Sequence, residues 1–170
     1  MSELQCYILS GVSGAGKSTW IQNQAWADKA DVHSADHYFV KDGVYRFDPK
    51  LLPEAHGACL RDFIHGVRPG WRAKEMGLSL DDSPIQVVDN TNTTNEEIAP
   101  YYSVAKAYGY KVTLVTLRVN LELAAKRNTH GVPLAGIQAM QDRISARRIP
   151  RFWDLKEETY LWHQDSWLKV

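Results

Sequence analysis

Short apolar runs alternate along this chain with longer segments of helical character. Gln5–Ser10 and the run 85-IQVVD-89 are compact and apolar, which is typical of strands buried on both faces. Lys111–Leu117 is rich in β-branched residues and also predicts a strand. Asp31–Ser34 and Thr159–His163 are weaker candidates for a second and a last strand. Five strands are therefore expected.

The segments between these runs predict helices. Thr94 and Glu97 have the spacing of a capping box, and Pro53 suits the first turn of a helix. The expected helices run from Lys17 to about Ala27, from Pro53 to about His65, from Thr94 to Tyr108, and over Leu121–Asn128 and Leu134–Arg148. Asp42-Gly43 marks a turn, and Arg68–Ser83 is expected to be a polar connection. Strands that alternate with helices predict an α/β fold, with a mainly parallel sheet covered on both faces.

Composition is that of one globular domain, residues 1–170, with 44% hydrophobic and 24% charged residues. No apolar run approaches the roughly 18–20 residues that span a bilayer, so no membrane partner is expected. The first residues lack the pattern of a signal peptide. Two cysteines, Cys6 and Cys59, do not form a disulfide framework, which favours a reducing cytoplasm. Net charge is zero, yet Lys111 to Arg151 holds eight basic and two acidic residues, a local +6.

Residues 11–18, GVSGAGKS, fit the pattern G-x-x-x-x-G-K-[ST] between a predicted strand and a predicted helix. The glycines let backbone N–H groups turn toward an anion, and the helix adds its positive end. Lys17 is expected to reach the β- and γ-phosphates, and the Ser18 hydroxyl to bind Mg²⁺. The segment predicts a nucleoside triphosphate site formed by Gly11, Ser13, Gly14, Ala15, Gly16, Lys17, Ser18 and Thr19.

Two carboxylates follow predicted strands. Asp89 closes the most hydrophobic strand, where P-loop proteins place an acid that holds the metal, so Asp89 and Ser18 are the expected metal ligands. Asp36 lies just past the second strand, where it serves either as a base for an acceptor hydroxyl or as a turn former. Asn90 and Asn92 bind phosphate or substrate, or else only shape a turn.

The motifs GVSGAGKST, SADHYF, EAH at residues 54–56, VVDNTN, and RNTHGVP at residues 127–133 occur in that order. Together they resemble the polynucleotide 5′-hydroxyl kinases and their small single-domain P-loop relatives, over about residues 8–145. The resemblance implies a three-layer α/β/α P-loop kinase with sheet order 2-3-1-4-5. It also implies a helical lid at about residues 121–148.

The resemblance implies roles for individual residues as well. Asp36 matches the general base that activates the acceptor hydroxyl, with Lys17 and Arg127 as the other catalytic groups. Arg127 and His130 belong to the lid over the donor phosphates. His56 and Arg61 lie on the helix that lines the acceptor groove, although a histidine there can equally be a core residue.

Three further features are basic or aromatic, and the two basic ones keep more than one interpretation. Arg143 and Arg147 share a helix face, where they complete the lid, track an acceptor backbone or remain solvated. The connection Arg68–Ser83 combines arginines with Trp71, which suits either a nucleic-acid contact or a solvated loop. The tryptophans of the tail, Trp153, Trp162 and Trp167, are interpreted as packing residues rather than a partner site.

The sequence thus predicts an enzyme that uses ATP and Mg²⁺ to phosphorylate a hydroxyl of a nucleic acid, with DNA expected over RNA. The acceptor is either a 5′-terminal hydroxyl or the hydroxymethyl group of a modified pyrimidine, as in related phage enzymes. A small-molecule kinase is the second hypothesis, and an ATP-gated interaction module is the third. No sequence feature predicts the oligomeric state.

Overall fold

A computed structural model describes residues 3–170, so Met1 and Ser2 of the expected 1–170 domain lie outside the described residues. The strands are β1 Gln5–Ser10, β2 Ala30–His33, β3 Val40–Lys41, β4 Val44–Tyr45, β5 Ile85–Val88, β6 Lys111–Arg118, β7 Lys156–His163 and β8 Ser166–Lys169. The helices are α1 Lys17–Gln22, α2 Leu52–Glu75, α3 Asn95–Ala107, α4 Leu121–Arg127 and α5 Leu134–Ala146. None of the helices described in residues 3–170 is both long and apolar enough to span a bilayer.

The central sheet has the order β2-β5-β1-β6-β7-β8. Its first five strands are parallel and follow the predicted order. The predicted count of five is wrong, because β8 adds an antiparallel sixth strand at the edge. Gln164 and Asp165 form the connecting turn with φ of 45° and 57°, the left-handed geometry of a tight hairpin. Trp162 and Trp167 face each other across this hairpin.

Two hydrophobic clusters lie on opposite faces of the sheet. One joins α2 and α3 to the sheet through residues such as Phe63 and Ile98. The other joins α1, α4 and α5 through residues such as Trp20 and Ile137. Six consecutive residues of β6 are buried, as expected for a strand covered on both faces. The chain therefore forms the predicted three-layer α/β/α fold.

Helix α2 continues to Glu75, so the prediction of a helix ending near His65 followed by a connection is wrong. Gly66 and Gly70 are small because the helix lies close to the sheet. A Cβ at Gly66 would come within 2.8 Å of the His33 and Gln86 side chains, and one at Gly70 would come 2.5 Å from the Tyr110 hydroxyl oxygen. Pro69 is on the exposed side of the helix, where water can satisfy the backbone carbonyl that it leaves without a partner.

Other predicted helix ends also differ. Helix α1 stops at Gln22, and a short 3₁₀ turn at Ala27–Lys29 follows, where continuous helix was expected to Ala27. Trp26 stacks on Tyr7 of β1 with ring centroids 4.7 Å apart, which draws the chain back onto the sheet. Helix α5 ends at Ala146 rather than at Arg148.

A small hairpin, β3–β4, was not predicted as a pair of strands. It follows a 3₁₀ segment, Ala35–Phe39, that leaves the end of β2. The expected turn at Asp42-Gly43 connects its strands, with φ of 52° and 74°. Phe39 is buried beneath the hairpin and contacts the rings of Tyr45 and Phe47. The hairpin consequently projects Tyr45 beside the end of β2.

Candidate active site

The loop after β1 packs against the lid. Gly14 and Gly16 have φ of 77° and 88°, a conformation that side-chain-bearing residues rarely adopt. A Cβ at Gly14 would collide with the carbonyl oxygen of Ala124 in α4, so this glycine also permits close approach. Deeper in the loop, Gly11 donates its N–H to the Thr91 carbonyl, while Ser13 and Ala15 are buried.

Lys17 sits at the start of α1 with its ammonium group turned toward the loop. Its Nζ donates to the carbonyl oxygens of Gly11 and Val12 at 3.3 and 3.2 Å. Burial lowers the pKa of Lys17, and the negative charges of Asp89 and Asp36 oppose that shift. The charges of both carboxylates therefore act on the Lys17 ammonium group.

Ser18 and Asp89, the two residues predicted to bind the metal, lie next to each other. The Ser18 hydroxyl donates to Asp89 Oδ2 at 2.9 Å, although the two residues are far apart in sequence. Burial raises the pKa of Asp89, while Lys17 and the Ser18 hydroxyl act to lower it. Residues 3–170 contain no group of three or more His, Cys, Asp or Glu side chains arranged to hold a metal. Two oxygen ligands suit Mg²⁺, which keeps several waters and binds substrate phosphates.

Asp36 lies within the 3₁₀ segment after β2, with its backbone N–H donating to Ser34 Oγ at 3.3 Å. Its carboxylate is half exposed and accepts a hydrogen bond of 3.3 Å from the Tyr45 hydroxyl. His130 Nε2 lies 3.6 Å from the other carboxylate oxygen, and His130 Nδ1 is 2.7 Å from the Tyr45 hydroxyl. Asp36 thus joins the hairpin to the lid.

Burial, followed by the negative charge of Asp36 and the hydrogen bond to it, raises the pKa of Tyr45 to about 12. The phenol consequently stays protonated throughout the neutral range and continues to donate to the carboxylate. Sequence reasoning missed Tyr45, because a tyrosine in a short hairpin carries no recognisable motif. The hairpin turn at Asp42-Gly43 was the one available signal.

The lid carries Arg127 and His130 at the end of α4 and just beyond it. Asn128 links this segment to the phosphate loop, because its Oδ1 accepts hydrogen bonds from Ser13 Oγ at 3.0 Å and from the His130 N–H at 2.9 Å. Arg127 places its guanidinium over the Trp162 ring, 4.6 Å from the centroid. Asn128 therefore connects this segment to the phosphate loop, and Arg127 connects it to strand β7.

A cavity of about 560 Å³ opens between the phosphate loop, the lid and the β7–β8 hairpin. It is lined by Gly14, Gly16, Lys17, Ser18, Thr19, Arg127, Thr129, His130, Trp162 and Trp167. The two tryptophans contact each other edge to face, and the Trp167 ring also approaches Gly16. These rings offer a base-stacking surface next to the phosphate loop. The interpretation of both tryptophans as packing residues is confirmed, because they pack against the hydrophobic cluster of α1, α4 and α5. Their position beside the cavity was not predicted, because it depends on the unpredicted strand β8.

Asn90 and Asn92 are buried and already paired with protein groups. Asn90 Oδ1 accepts the Ala35 N–H at 2.9 Å, and Asn92 Nδ2 donates to the Leu9 carbonyl at 2.7 Å. Arg147 similarly reaches inward, to Ser10 Oγ and the Asn92 carbonyl at 2.8 and 2.7 Å. These contacts anchor the strand ends beneath the site. Substrate binding by the two asparagines stays a prediction.

His56 and Arg61 are both exposed on α2. His56 lines a second cavity of about 390 Å³ between α2 and α3, together with Asn90 and Tyr101. Arg61 is not part of either cavity lining. The structure therefore brings the donor-side residues, Asp36 and His130 together at the carboxyl end of the parallel strands. His56 lies nearby on α2, and Arg61 lies outside the site.

Comparison with known proteins agrees with this geometry. A family described as AAA domain matches residues 7–146. Human NEDD4-binding protein 2 is 33% identical over 141 residues, which cover 78% of this chain and 7% of that protein. The chain thus corresponds to a small part of that relative.

Solved structures share the fold at low sequence identity. The AvrRxo1-ORF1:-ORF2 complex has a chain with a TM-score of 0.66 and 17% identity, covering 99% of this chain and 58% of that one. The Mycobacterium tuberculosis APS kinase CysC, solved with AMPPNP and APS, has a TM-score of 0.50 and 18% identity, covering 94% and 90%. The fold of the chain is that of a P-loop kinase-like domain.

Proposed function

The chain belongs to the AAA domain family, and on this premise we propose that it is an ATP- and Mg²⁺-dependent kinase that phosphorylates a hydroxyl of a nucleic acid. One observation carries the proposal. The half-exposed carboxylate of Asp36, across the site from Lys17, already accepts a hydrogen bond from a hydroxyl group, that of Tyr45. A carboxylate in this position can accept the proton of an acceptor alcohol.

On the donor side, the loop at residues 11–18 binds the triphosphate through its backbone N–H groups and Lys17. The aromatic rings of Trp162 and Trp167 offer a stacking surface for the adenine, while Arg127 adds positive charge near the phosphates. Ser18 and Asp89 would hold Mg²⁺, which neutralises charge on the phosphate oxygens when bound.

On the acceptor side, an acceptor hydroxyl that binds beside Tyr45 at Asp36 gives its proton to the carboxylate. Its oxygen bonds to the γ-phosphorus as the bond from phosphorus to the bridging β–γ oxygen breaks, so ADP leaves. General base catalysis of this kind contributes roughly 10²–10⁴-fold to the rate. His130 Nε2 lies 3.6 Å from the Asp36 carboxylate, the group whose charge changes when it accepts the proton.

The openness of the acceptor side favours a polymer. Asp36 and Tyr45 are both substantially exposed, and the β3–β4 hairpin beside them is solvated on both strands. A polymer end or an extruded base can approach such an open edge, whereas a small acceptor usually needs a concave pocket. The motif order that resembles polynucleotide kinases supports the same choice.

A second candidate function is phosphorylation of a small molecule. The cavity of about 390 Å³ lined by His56, Asn90 and Tyr101 is the observation that favours it. Such an enzyme would use the same donor site but would show no dependence of KM on oligonucleotide length.

The test is transfer of labelled γ-phosphate from ATP to two matched DNA oligonucleotides. One has a free 5′-hydroxyl, and the other has a blocked 5′ end and an internal hydroxymethylpyrimidine. Label on either oligonucleotide supports the proposal and identifies the acceptor. Label on neither, with measurable ATP binding, contradicts the nucleic-acid assignment and favours the small-molecule candidate.

A further inference from the structure

Helix α2 carries a row of exposed basic residues that the active site does not use. Arg61, His65, Arg68 and Arg72 are spaced by four, three and four positions, which places them on one helix face. All four are exposed. We call this set the α2 stripe. The row is complete only because α2 continues past His65. In the expected connection, Arg68 and Arg72 would have had no fixed arrangement.

Within residues 3–170, no ion pair joins a stripe arginine to a carboxylate. Asp62, an acid in the same part of the helix, is paired with His33, whose Nδ1 lies 2.8 Å from Asp62 Oδ2, and 66% of the Asp62 side chain is exposed. The positive charge of the stripe is therefore left for an external anion.

A shallow groove accompanies the far half of the stripe. Its volume is about 510 Å³, and His65, Arg68 and Arg72 line it together with apolar residues. Among these, Met76 and Leu78 are 72% and 57% exposed, although most large apolar side chains of the chain are covered. Cations beside an exposed apolar surface match a strand of nucleic acid, which presents phosphates and, between them, sugars and bases.

The stripe begins near the acceptor side of the active site and leads away from it. Cys59 of α2 contacts the Asn90 amide at 3.5 Å, and the same Asn90 holds the backbone of Ala35, next to Asp36. Farther along α2, the Val67 carbonyl accepts a hydrogen bond from Tyr110. Tyr110 directly precedes β6, so this part of α2 lies at the amino end of the parallel strands. From Arg61 to Arg72 the helix rises over eleven residue steps, which corresponds to about 16 Å.

From this arrangement we propose that the α2 stripe binds the phosphate backbone of a nucleic-acid acceptor whose hydroxyl is at Asp36. The inference rests on the proposed function and makes it more specific, since a small acceptor would not reach cations about 16 Å along the helix. The acceptor must be a polymer several phosphates long, because each strand of a duplex carries one phosphate per ~3.4 Å.

The test compares Arg68→Gln/Arg72→Gln with a control, Arg118→Gln/Arg151→Gln, which removes the same charge from exposed positions outside α2. Binding of a labelled single-stranded 16-mer with a 5′-hydroxyl is measured against salt concentration, and transfer to a 5′-hydroxyl trinucleotide is measured in parallel. We expect the stripe variant to bind the 16-mer about tenfold more weakly, with a salt slope lower by about 1.4. ATP affinity and transfer to the trinucleotide stay unchanged in both variants.

Equal 16-mer affinity in the two variants, with wild-type transfer to oligonucleotides intact, would overturn the stripe proposal and leave the proposed function standing. Wild-type protein that phosphorylates neither oligonucleotide would overturn both. A polyglutamate peptide of equal charge is the second probe. If wild-type protein bound it as tightly as the 16-mer, the assignment of the stripe to nucleic acid would be wrong.

Discussion

The donor and acceptor sides of the site are built in different ways. The donor side comes mainly from one continuous segment, residues 11–18, where left-handed glycines turn the backbone around the proposed phosphate site. The acceptor side joins side chains from three separated segments, with Asp36 after β2, Tyr45 on the hairpin and His130 in the lid. A local backbone motif leaves a readable sequence pattern, whereas an assembly of distant side chains does not.

The largest expected effect is on the donor side. Lys17→Ala removes the cation at the phosphate loop, so kcat/KM for ATP should fall by about 10²–10³-fold or more in the transfer assay. Lys111→Ala is the matched control, because Lys111 lies at the amino end of β6, away from the phosphate loop, and pairs with Glu3 at 2.6 Å. Comparable activity in the two variants would contradict the role of Lys17.

The β7–β8 hairpin, which carries Trp162 and Trp167, adds to the donor side beyond the phosphate loop. Trp167→Leu should weaken ATP binding about tenfold, since stacking of a base on an aromatic ring is worth about 1–3 kcal/mol. Titration calorimetry with ATP measures this, and Trp71→Leu, whose indole contacts Tyr108 on the other helix layer, is the control. An unchanged ATP affinity in Trp167→Leu would show that the base of ATP does not stack on Trp167.

Tyr45 tests the acceptor side. Tyr45→Phe deletes the hydroxyl that donates to Asp36, a hydrogen bond worth about 1 kcal/mol, so kcat should fall about fivefold while ATP affinity is retained. Tyr38→Phe removes a hydroxyl from a half-buried ring nearby and should leave kcat unchanged. Equal rates for the two variants would show that Tyr45 does not position the base.

The sequence predicted those parts of the molecule that depend on residues close together in the chain. The phosphate loop, the Thr94 cap, whose hydroxyl accepts the Glu97 N–H at 3.3 Å, and the order of the parallel strands follow from neighbouring residues or family pattern. Helix α2 was misjudged because Gly66, Pro69 and Gly70 resemble helix breakers. Two of them instead relieve contacts with the sheet, which only tertiary packing decides.

The β7–β8 hairpin provides a prediction of stability rather than of activity. Burial alone would raise the pKa of Glu158, but hydrogen bonds from Lys156, Lys169 and Tyr160 outweigh it and lower that pKa to about 2. A lowered pKa means that this stabilisation is complete above about pH 4.5 and is lost as the pH falls toward 2.

Glu158→Gln should therefore lower the free energy of unfolding at pH 7 by on the order of 2 kcal/mol and have a smaller effect near pH 2. Urea unfolding at both pH values measures the difference. A loss that is the same at both would assign the effect to packing rather than to the charge.

The measurement that tests the account most directly compares Asp36→Asn with Asp89→Asn. ATP affinity in the presence of Mg²⁺ and single-turnover transfer of the γ-phosphate to the accepting oligonucleotide are determined for both. Asp36→Asn should keep its ATP affinity while transfer falls by at least about 10²-fold, whereas Asp89→Asn should lose the Mg²⁺ dependence of ATP binding. If Asp36→Asn instead lost ATP affinity and kept its transfer rate, Asp36 would belong to the donor side and the division of the site would be wrong.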